Sequence, residues 1–306
     1  MLLALAWLAV AQDSAPATLQ NLLSRLAEEA EVFAQNIPKA LTTETLEQRT
    51  LLPPSRFRPR IGTTAIQEAA KPRTRTRQIV SEYSVGTLKD SASASLTEFR
   101  QVESVDGRKV QSREAARHAL SIGLRAPDDR ARKRMLEDFA RHGLVDVATD
   151  YGLILLTFTR RGQQDIVFTP AGQTTIGADE ALVLDWQQTD AAGGMLEFIG
   201  NQVSRRAMRG LLLLRKSDGL PLRVQVWTQH PLSGHQIRDE AAVDYVQSQH
   251  GFLTPASVVH RHMVDGQVIT ENHYRYEPFK LFTADTEIKF TEFDTPPPAQ
   301  APPVKR

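Results

Sequence analysis

Three Asp-Gly pairs, Asp106-Gly107, Asp218-Gly219 and Asp265-Gly266, constrain this chain more than any other feature. Each sits between alternating apolar runs, and Asp-Gly accepts the positive φ that a tight hairpin turn demands. The flanking runs read as strands. Before the first helical island these are Ile79–Val85 and Leu96–Val102. After it come Leu153–Phe158, Asp165–Phe168, Ala181–Gln187, Met195–Ile199, Gly210–Arg215 and Leu222–Thr228. Ala241–Gln247, Ser257–Val264, Val268–Tyr276 and Ala284–Phe290 complete the set. So many strands with short links predict one large antiparallel sheet, and about ten strands must curl. Such a sheet buries one face, and helices are available to cover it. The fold class expected is α+β: a large curved antiparallel sheet, a half-barrel wrapped on helices, with an N-terminal helical arm.

Leu19, Leu22, Leu23, Leu26, Ala30 and Phe33 recur at steps of three and four, which marks one apolar face of a helix over 18–35. Pro38 ends it, and a weaker helical stretch is read from Lys39 to Gln48. Arg56, Arg58, Arg60, Lys71, Arg73, Arg75 and Arg77 then face only Glu68, among Pro59, Gly62 and Pro72. This reads as an extended basic arm, able to meet acidic headgroups or simply to cross the surface. Ser112 is placed as the cap of a short helix, and Asp128-Asp129 open a stronger one that Gly143 closes. Leu153–Phe158 is apolar on both faces and should be covered on both sides. The domain division expected is a signal segment over 1–11 and a helix and basic arm over 12–77. A half-barrel with a helical insertion (about 112–143) follows over 78–293, and a disordered proline-rich tail over 294–306.

The apolar run Leu2–Val10 is too short to span a bilayer and fits the core of a secretory signal, with Ala9-Val10-Ala11 as its cleavage site. No cysteine is present. Disulfides, thiol catalysis, Cys-ligated zinc and an acylated-cysteine anchor are therefore unavailable to these residues. No later run reaches 18 apolar residues, so a soluble mature chain in the periplasm or outside the cell is expected. The net charge of +1 gives no basic field for nucleic acid.

No nucleophile elbow, P-loop, zincin helix or dinucleotide fingerprint occurs, so no catalytic residue is assigned and no cofactor is expected. Two sets of candidate site residues remain. The first is aromatic: Phe158, Trp186, Phe198, Trp227, Tyr245 and Tyr274 fall on expected strands, where the concave face of a curved sheet can be both core and ligand cavity. The second lies in VVHRHMVDGQVITENHYRY, Val258–Tyr276. With Asp265-Gly266 as a two-residue turn, His260 pairs with Glu271, and His260, His262, Glu271 and His273 share one face. Val259, Met263, Val268, Tyr274 and Tyr276 share the other and read as the core face. His260, Glu271 and His273 could then ligate a metal. The same residues also read as a solvated strand face, and a single-residue bulge would separate the ligands.

One resemblance can be drawn. GLLLLRKSDGLPLRV (Gly210–Val224) gives a strand, a turn and a return strand. Asp244-Tyr245, then GFLTP (Gly251–Pro255), then NHYRY (Asn272–Tyr276) with Phe279 and Phe282 follow. This order is similar to bacterial periplasmic carriers of the lipoprotein-sorting type and to uncharacterised secreted proteins that share this half. The resemblance covers about 78–290 as architecture. It implies an incomplete β-barrel wrapped on helices, a soluble envelope location, and an apolar concavity that shields an acyl chain or similar ligand. The long N-terminal arm and the proline tail depart from it. Three functions fit these residues: a non-enzymatic binding or carrier protein for an apolar, lipid-like ligand; an envelope interaction or assembly scaffold with a protein partner; and a metal-binding protein or metal-dependent enzyme using His260, Glu271 and His273.

Overall fold

The computed structural model describes residues 19–52, 72–88, 95–125, 129–147, 149–190, 195–199 and 202–282. The signal segment, the arm residues Arg56 to Lys71, the strand expected over 284–290 and the proline tail lie outside them. The described chain opens with helix α1 (Leu19–Asn36). The strands are β1 (Ala40–Leu52), β2 (Arg73–Leu88), β3 (Ser95–Val105) and β4 (Arg108–Lys109). Helices α2 (Arg113–Arg125) and α3 (Asp129–Arg141) follow. Then come β5 (Ile166–Ile176), β6 (Asp179–Gln188), β7 (Met195–Ile199), β8 (Gln202–Arg206), β9 (Arg209–Arg215) and β10 (Pro221–Leu232). The last are β11 (His235–Gln247), β12 (Leu253–Val264), β13 (Gln267–Tyr276) and β14 (Lys280–Leu281).

Twelve strands form one open antiparallel sheet in the order β4-β3-β2-β1-β13-β12-β11-β10-β9-β6-β5, with β14 beside β1. The ends, β4 and β5, do not pair with each other, so the sheet curls without closing. The half-barrel class is therefore the observed one. β7 and β8 make a separate ribbon. Two Asp-Gly pairs make the hairpin turns expected of them. Asp106 and Gly107 have φ of 48° and 75°, and Asp265 and Gly266 have 49° and 81°. Ser233 and Gly234 make a third such turn, between β10 and β11.

α1 lies against the inner face of the sheet. Leu22, Leu26, Ala30 and Phe33 form its buried stripe, and Phe33 meets Tyr245 of β11 edge-on at 6.1 Å. A short 3-10 turn with Pro38 ends the helix. α2 takes the other face: Arg113 and Arg117 reach the buried Glu82 of β2 at 3.2 and 2.9 Å. Ser112 caps α2 by accepting the Ala115 amide at 3.1 Å. α3 packs Met135 and Phe139 into the main core and stops at Gly143, φ 77°. The Leu144 amide bonds the Phe139 carbonyl at 3.1 Å, the closing bond of a Schellman end, and Leu144 is buried as its apolar contact.

Four sequence readings are corrected. Residues 40–52 form a central strand, not a helix, because the inward positions of β1 carry Glu44 and Gln48 as well as Leu46, which hides the period-2 apolar pattern. Arg73, Arg75 and Arg77 belong to β2, so the boundary drawn at residue 78 cuts a strand. Leu153–Phe158 is buried as expected, but as part of a 3-10 segment, Tyr151–Phe158, inside the core. His230-Pro231-Leu232-Ser233-Gly234-His235 has the composition of a surface loop, but His230 is buried on β10.

Candidate functional site

Among the described residues, the inner face of the sheet is covered by α1 and by a strap, residues 144–147 and 149–158. The strap is apolar at its C-terminal end, with Leu153, Ile154, Leu155 and Phe158 all buried. It is not a strand, so its backbone groups need partners other than a ladder. Side chains of the sheet supply them. Tyr245 of β11 donates its hydroxyl to the Gly152 carbonyl at 3.0 Å and accepts the Leu155 amide at 3.2 Å. Glu98 of β3 accepts the Asp150 and Gly152 amides at 2.8 and 2.9 Å, while Asp150 accepts the Glu98 amide at 2.8 Å. Gly152 has no room for a side chain, since a Cβ there would lie 2.6 Å from Glu98 Oε1.

Glu98 belongs to a buried ion cluster. Arg100 bonds Glu44 through Nε at 2.7 Å and Glu98 through Nη2 at 2.8 Å, and all three side chains are 1% exposed. Its guanidinium lies 5.1 Å from the Tyr83 ring and 5.3 Å from the Tyr274 ring. Tyr83 donates to Glu98 at 3.0 Å. Burial pushes the Glu44 carboxyl above its ordinary range, against the pull of Arg100. Burial also works against the Arg100 charge, but Glu44 and Glu98 outweigh it and keep the guanidinium firmly protonated.

A second polar row crosses the inner face at the other end of the strap. Gln48 of β1 bonds Val145 twice, Nε2 to the carbonyl at 2.7 Å and Oε1 from the amide at 3.0 Å. Gln48 Nε2 also donates to Asn272 Oδ1 of β13 at 2.7 Å. Asn272 Nδ2 reaches the Asp146 carbonyl at 3.0 Å and His260 Nδ1 of β12 at 3.1 Å. His260 Nε2 lies 3.3 Å from Asp239 Oδ1 of β11, and His262 Nδ1 lies 2.9 Å from the same oxygen. Burial tends to raise the Asp239 carboxyl, but the hydrogen bonds of the two histidines prevail and hold it well below the usual carboxylate range. Thr270 bonds the Asp146 carboxylate at 3.2 Å.

The aromatic candidates divide. Phe158, Trp186, Tyr245 and Tyr274 converge on the inner face, each at most 4% exposed. Phe158 meets Trp186 edge-on at 5.0 Å. Phe158 is itself the last residue of the strap, and all four belong to one buried core with the apolar stripe of α1. Trp227 lies on the outer face, half-buried between the guanidinium groups of Arg209 and Arg238 at 5.9 and 5.4 Å. Phe198 sits on β7 in the separate ribbon, opposite Val203, and its side chain lies outside the described residues.

The proposed metal ligands do not converge. β13 carries one extra residue, Ile269, between the pairs Met263–Val268 and His262–Thr270. This bulge shifts the later register by one. His260 faces Asn272 on the inner, core-bearing face, while Glu271 and His273 move to the outer face. There Glu271 bonds Arg261 at 2.6 Å and His273 at 2.7 Å. Among the described residues no group of three His, Cys, Asp or Glu could hold a metal ion. The residues that do gather around His260, namely Gln48, Asn272, Asp146 and Asp239, carry no motif. Their one sequence signal is polarity at inward strand positions, legible only once the register is known.

No family model matches this chain and no curated protein matches it. Among solved structures, one named as an outer membrane lipoprotein-sorting protein domain from Vibrio parahaemolyticus is 11% identical. It covers 86% of this chain and 92% of its own, with a TM-score of 0.33. A DUF1329 family protein from Desulfovibrio piger is 9% identical over 86% and 94%, with a TM-score of 0.34. The Pseudomonas aeruginosa MucA/MucB complex matches at 11% identity over 86% and 99%, with a TM-score of 0.20. The first of these bears the name of the class that the C-terminal strand-and-turn order resembles.

Proposed function

We propose that this protein is a non-enzymatic binding protein of the periplasm or extracellular space, and that the inner face of its sheet is the binding surface, held shut by α1 and the strap. One observation carries the reading: the apolar inner face is covered by a helix and by non-strand chain tethered through side-chain hydrogen bonds, not by a second sheet. Displacing the strap breaks no β-ladder. It carries Phe158 away and uncovers Trp186, Tyr245 and Tyr274, a surface suited to an acyl chain or another apolar ligand. The ionisable groups beneath the strap are committed to one another, as in the Glu44–Arg100–Glu98 cluster, which fits binding better than proton transfer. The signal-like N-terminal run supports the location. Among the described residues no helix is long and apolar enough to cross a membrane.

The test is uptake of a fluorescent polyene fatty acid by the purified full chain, with mass analysis of its organic extract. Saturable uptake that quenches tryptophan emission is expected, and more of it in Gln48→Ala, which loosens the strap. No uptake and no extractable lipid in either protein would refute the ligand reading. A second reading then takes over, favoured by the near-complete burial of the inner aromatics: an envelope scaffold whose outer face meets a protein partner. That face offers an alternating row, Glu240–Arg261–Glu271, beside the Arg-clasped Trp227.

A further inference from the structure

Deepening the reading above, and resting on it only for what the strap conceals, we infer that Gln48, Asn272 and His260 form a proton-sensitive latch: it holds the strap while His260 is neutral and lets go when the ring takes a second proton.

The argument is one of hydrogen-bond direction. Gln48 faces the backbone of Val145 at both ends, so its oxygen and nitrogen cannot be exchanged without opposing donor to donor and acceptor to acceptor. Its Nε2 therefore faces Asn272, and the atom it meets must be Oδ1. Asn272 Nδ2 is then turned to the Asp146 carbonyl, which again only a donor can satisfy. The same Nδ2 meets His260 Nδ1. An amide nitrogen does not accept, so Nδ1 of the ring presents its lone pair. The ring proton sits on Nε2, toward Asp239. Two backbone groups of the strap thus fix the tautomer of a buried imidazole two side chains away.

A second proton would go onto Nδ1 and set a donor against a donor. Relief requires Asn272 to turn over. Its oxygen would then face the Asp146 carbonyl, and its nitrogen would face Gln48 Nε2, so the strap loses one bond and gains repulsion at the next. Every group around the ring bears on this step. Asp239 of β11 draws a proton to the ring, but it offers one charge to two imidazoles. His262 of β12 is nearer to it and more exposed, 22% against 4% for His260. Asp146 of the strap is engaged with Thr270 of β13. The Tyr151 ring lies 5.0 Å from the imidazole. β1 contributes Gln48, which does not titrate. The strap is also poised: Asp146 and Asp150 both hold positive φ, 47° and 68°, which costs a residue with a Cβ and is recovered on release.

The sign follows from linkage. The docked strap keeps one imidazole neutral that is free to titrate when the strap is away, so docking takes up fewer protons than opening and weakens as pH falls. For one proton taken up on opening, the opening constant rises by at most about tenfold for each pH unit of acidification.

Hydrogen exchange of the full chain, corrected for the intrinsic pH dependence, measures this. Peptides within 144–158 should open about 10- to 30-fold more at pH 5.0 than at pH 7.5, while the β10–β11 hairpin is unchanged. His260→Gln should abolish the difference and His262→Gln should keep it. If His260→Gln fails to fold, the imidazole nitrogen spectrum of the wild-type protein decides instead: at pH 7.5 Nε2 should carry the proton and Nδ1 should not. Exchange independent of pH, an equal response in His260→Gln, or a proton on Nδ1 at pH 7.5 overturns the latch. None of these measurements involves a ligand, so the latch and the binding reading can fail separately.

Discussion

Arg100→Met tests the architecture of the inner face most severely. Arg100, Glu44 and Glu98 are each 1% exposed, and the guanidinium bonds both carboxylates. Replacing it with a side chain of similar length keeps the packing against Tyr83 and Tyr274 but leaves two buried carboxylates without their cation. Breaking a buried pair in this way costs about 3–5 kcal/mol, because the orphaned charge has no compensation. With a urea slope of about 3 kcal/mol/M, the midpoint should fall by about 1.0–1.7 M at pH 7. Tryptophan emission reports the transition, since Trp186 is fully buried in the same core. The pH dependence carries a sign. Burial already raises the Glu44 carboxyl and Arg100 opposes that, so removing Arg100 raises it further. A carboxyl whose folded pKa lies above its unfolded value destabilises the fold when ionised, and the penalty shrinks as pH falls toward about 4.3. The variant should therefore recover part of the loss between pH 7 and 5. Adding Glu44→Gln to the Met variant should recover part of the loss, whereas adding Glu98→Gln should not, because both Glu98 oxygens accept strap amides and a glutamine would set a donor against one of them. A shift below about 0.3 M for Arg100→Met at pH 7, or a loss that deepens on acidification, would refute the reasoning.

Phe33→Ala removes the ring that seats α1 against Tyr245 and should cost about 3–5 kcal/mol by urea unfolding. A change below about 1 kcal/mol would mean that α1 does not close the inner face. Gly210→Ala sets a Cβ 1.8 Å from the Gln225 carbonyl oxygen across the β9–β10 pair, so soluble yield and thermal midpoint should both drop sharply, whereas Gly234→Ala meets no atom and strains only its turn. Glu271→Ala and His273→Ala, on the outer face, should leave zinc uptake by equilibrium dialysis unchanged and shift stability by about 1 kcal/mol or less. Zinc bound by the wild type and lost in both variants would restore the metal reading.

Much of this molecule was legible in the residues themselves. α1 shows because a 3.6-residue apolar stripe has one geometric meaning, and the stripe Leu22–Leu26–Ala30–Phe33 is the one buried. Asp106-Gly107 and Asp265-Gly266 show because few residues accept positive φ, so the hairpins they close are local facts. The count of strands and the short links between them carry the open antiparallel sheet. Tertiary structure decided the rest wherever a local pattern has two meanings. β1 is central, yet its inward Glu44 and Gln48 are polar, because they are spent on Arg100 and on the strap. No periodicity registers a buried polar residue whose partner is fifty or a hundred positions away. Tyr151–Phe158 is apolar on every side, which fits a buried strand as well as a buried 3-10 segment, and only the side-chain partners of its amides settle which. The metal triad failed at Ile269: a strand repeats every two residues, so one inserted residue exchanges its faces, and nothing in the local composition marks where a bulge falls. The same inserted residue brings Asn272 to His260. What the sequence determined alone was therefore what neighbours along the chain can fix. Which side chains meet across the sheet, and with them the ion cluster and the latch, is set by register between strands distant in sequence.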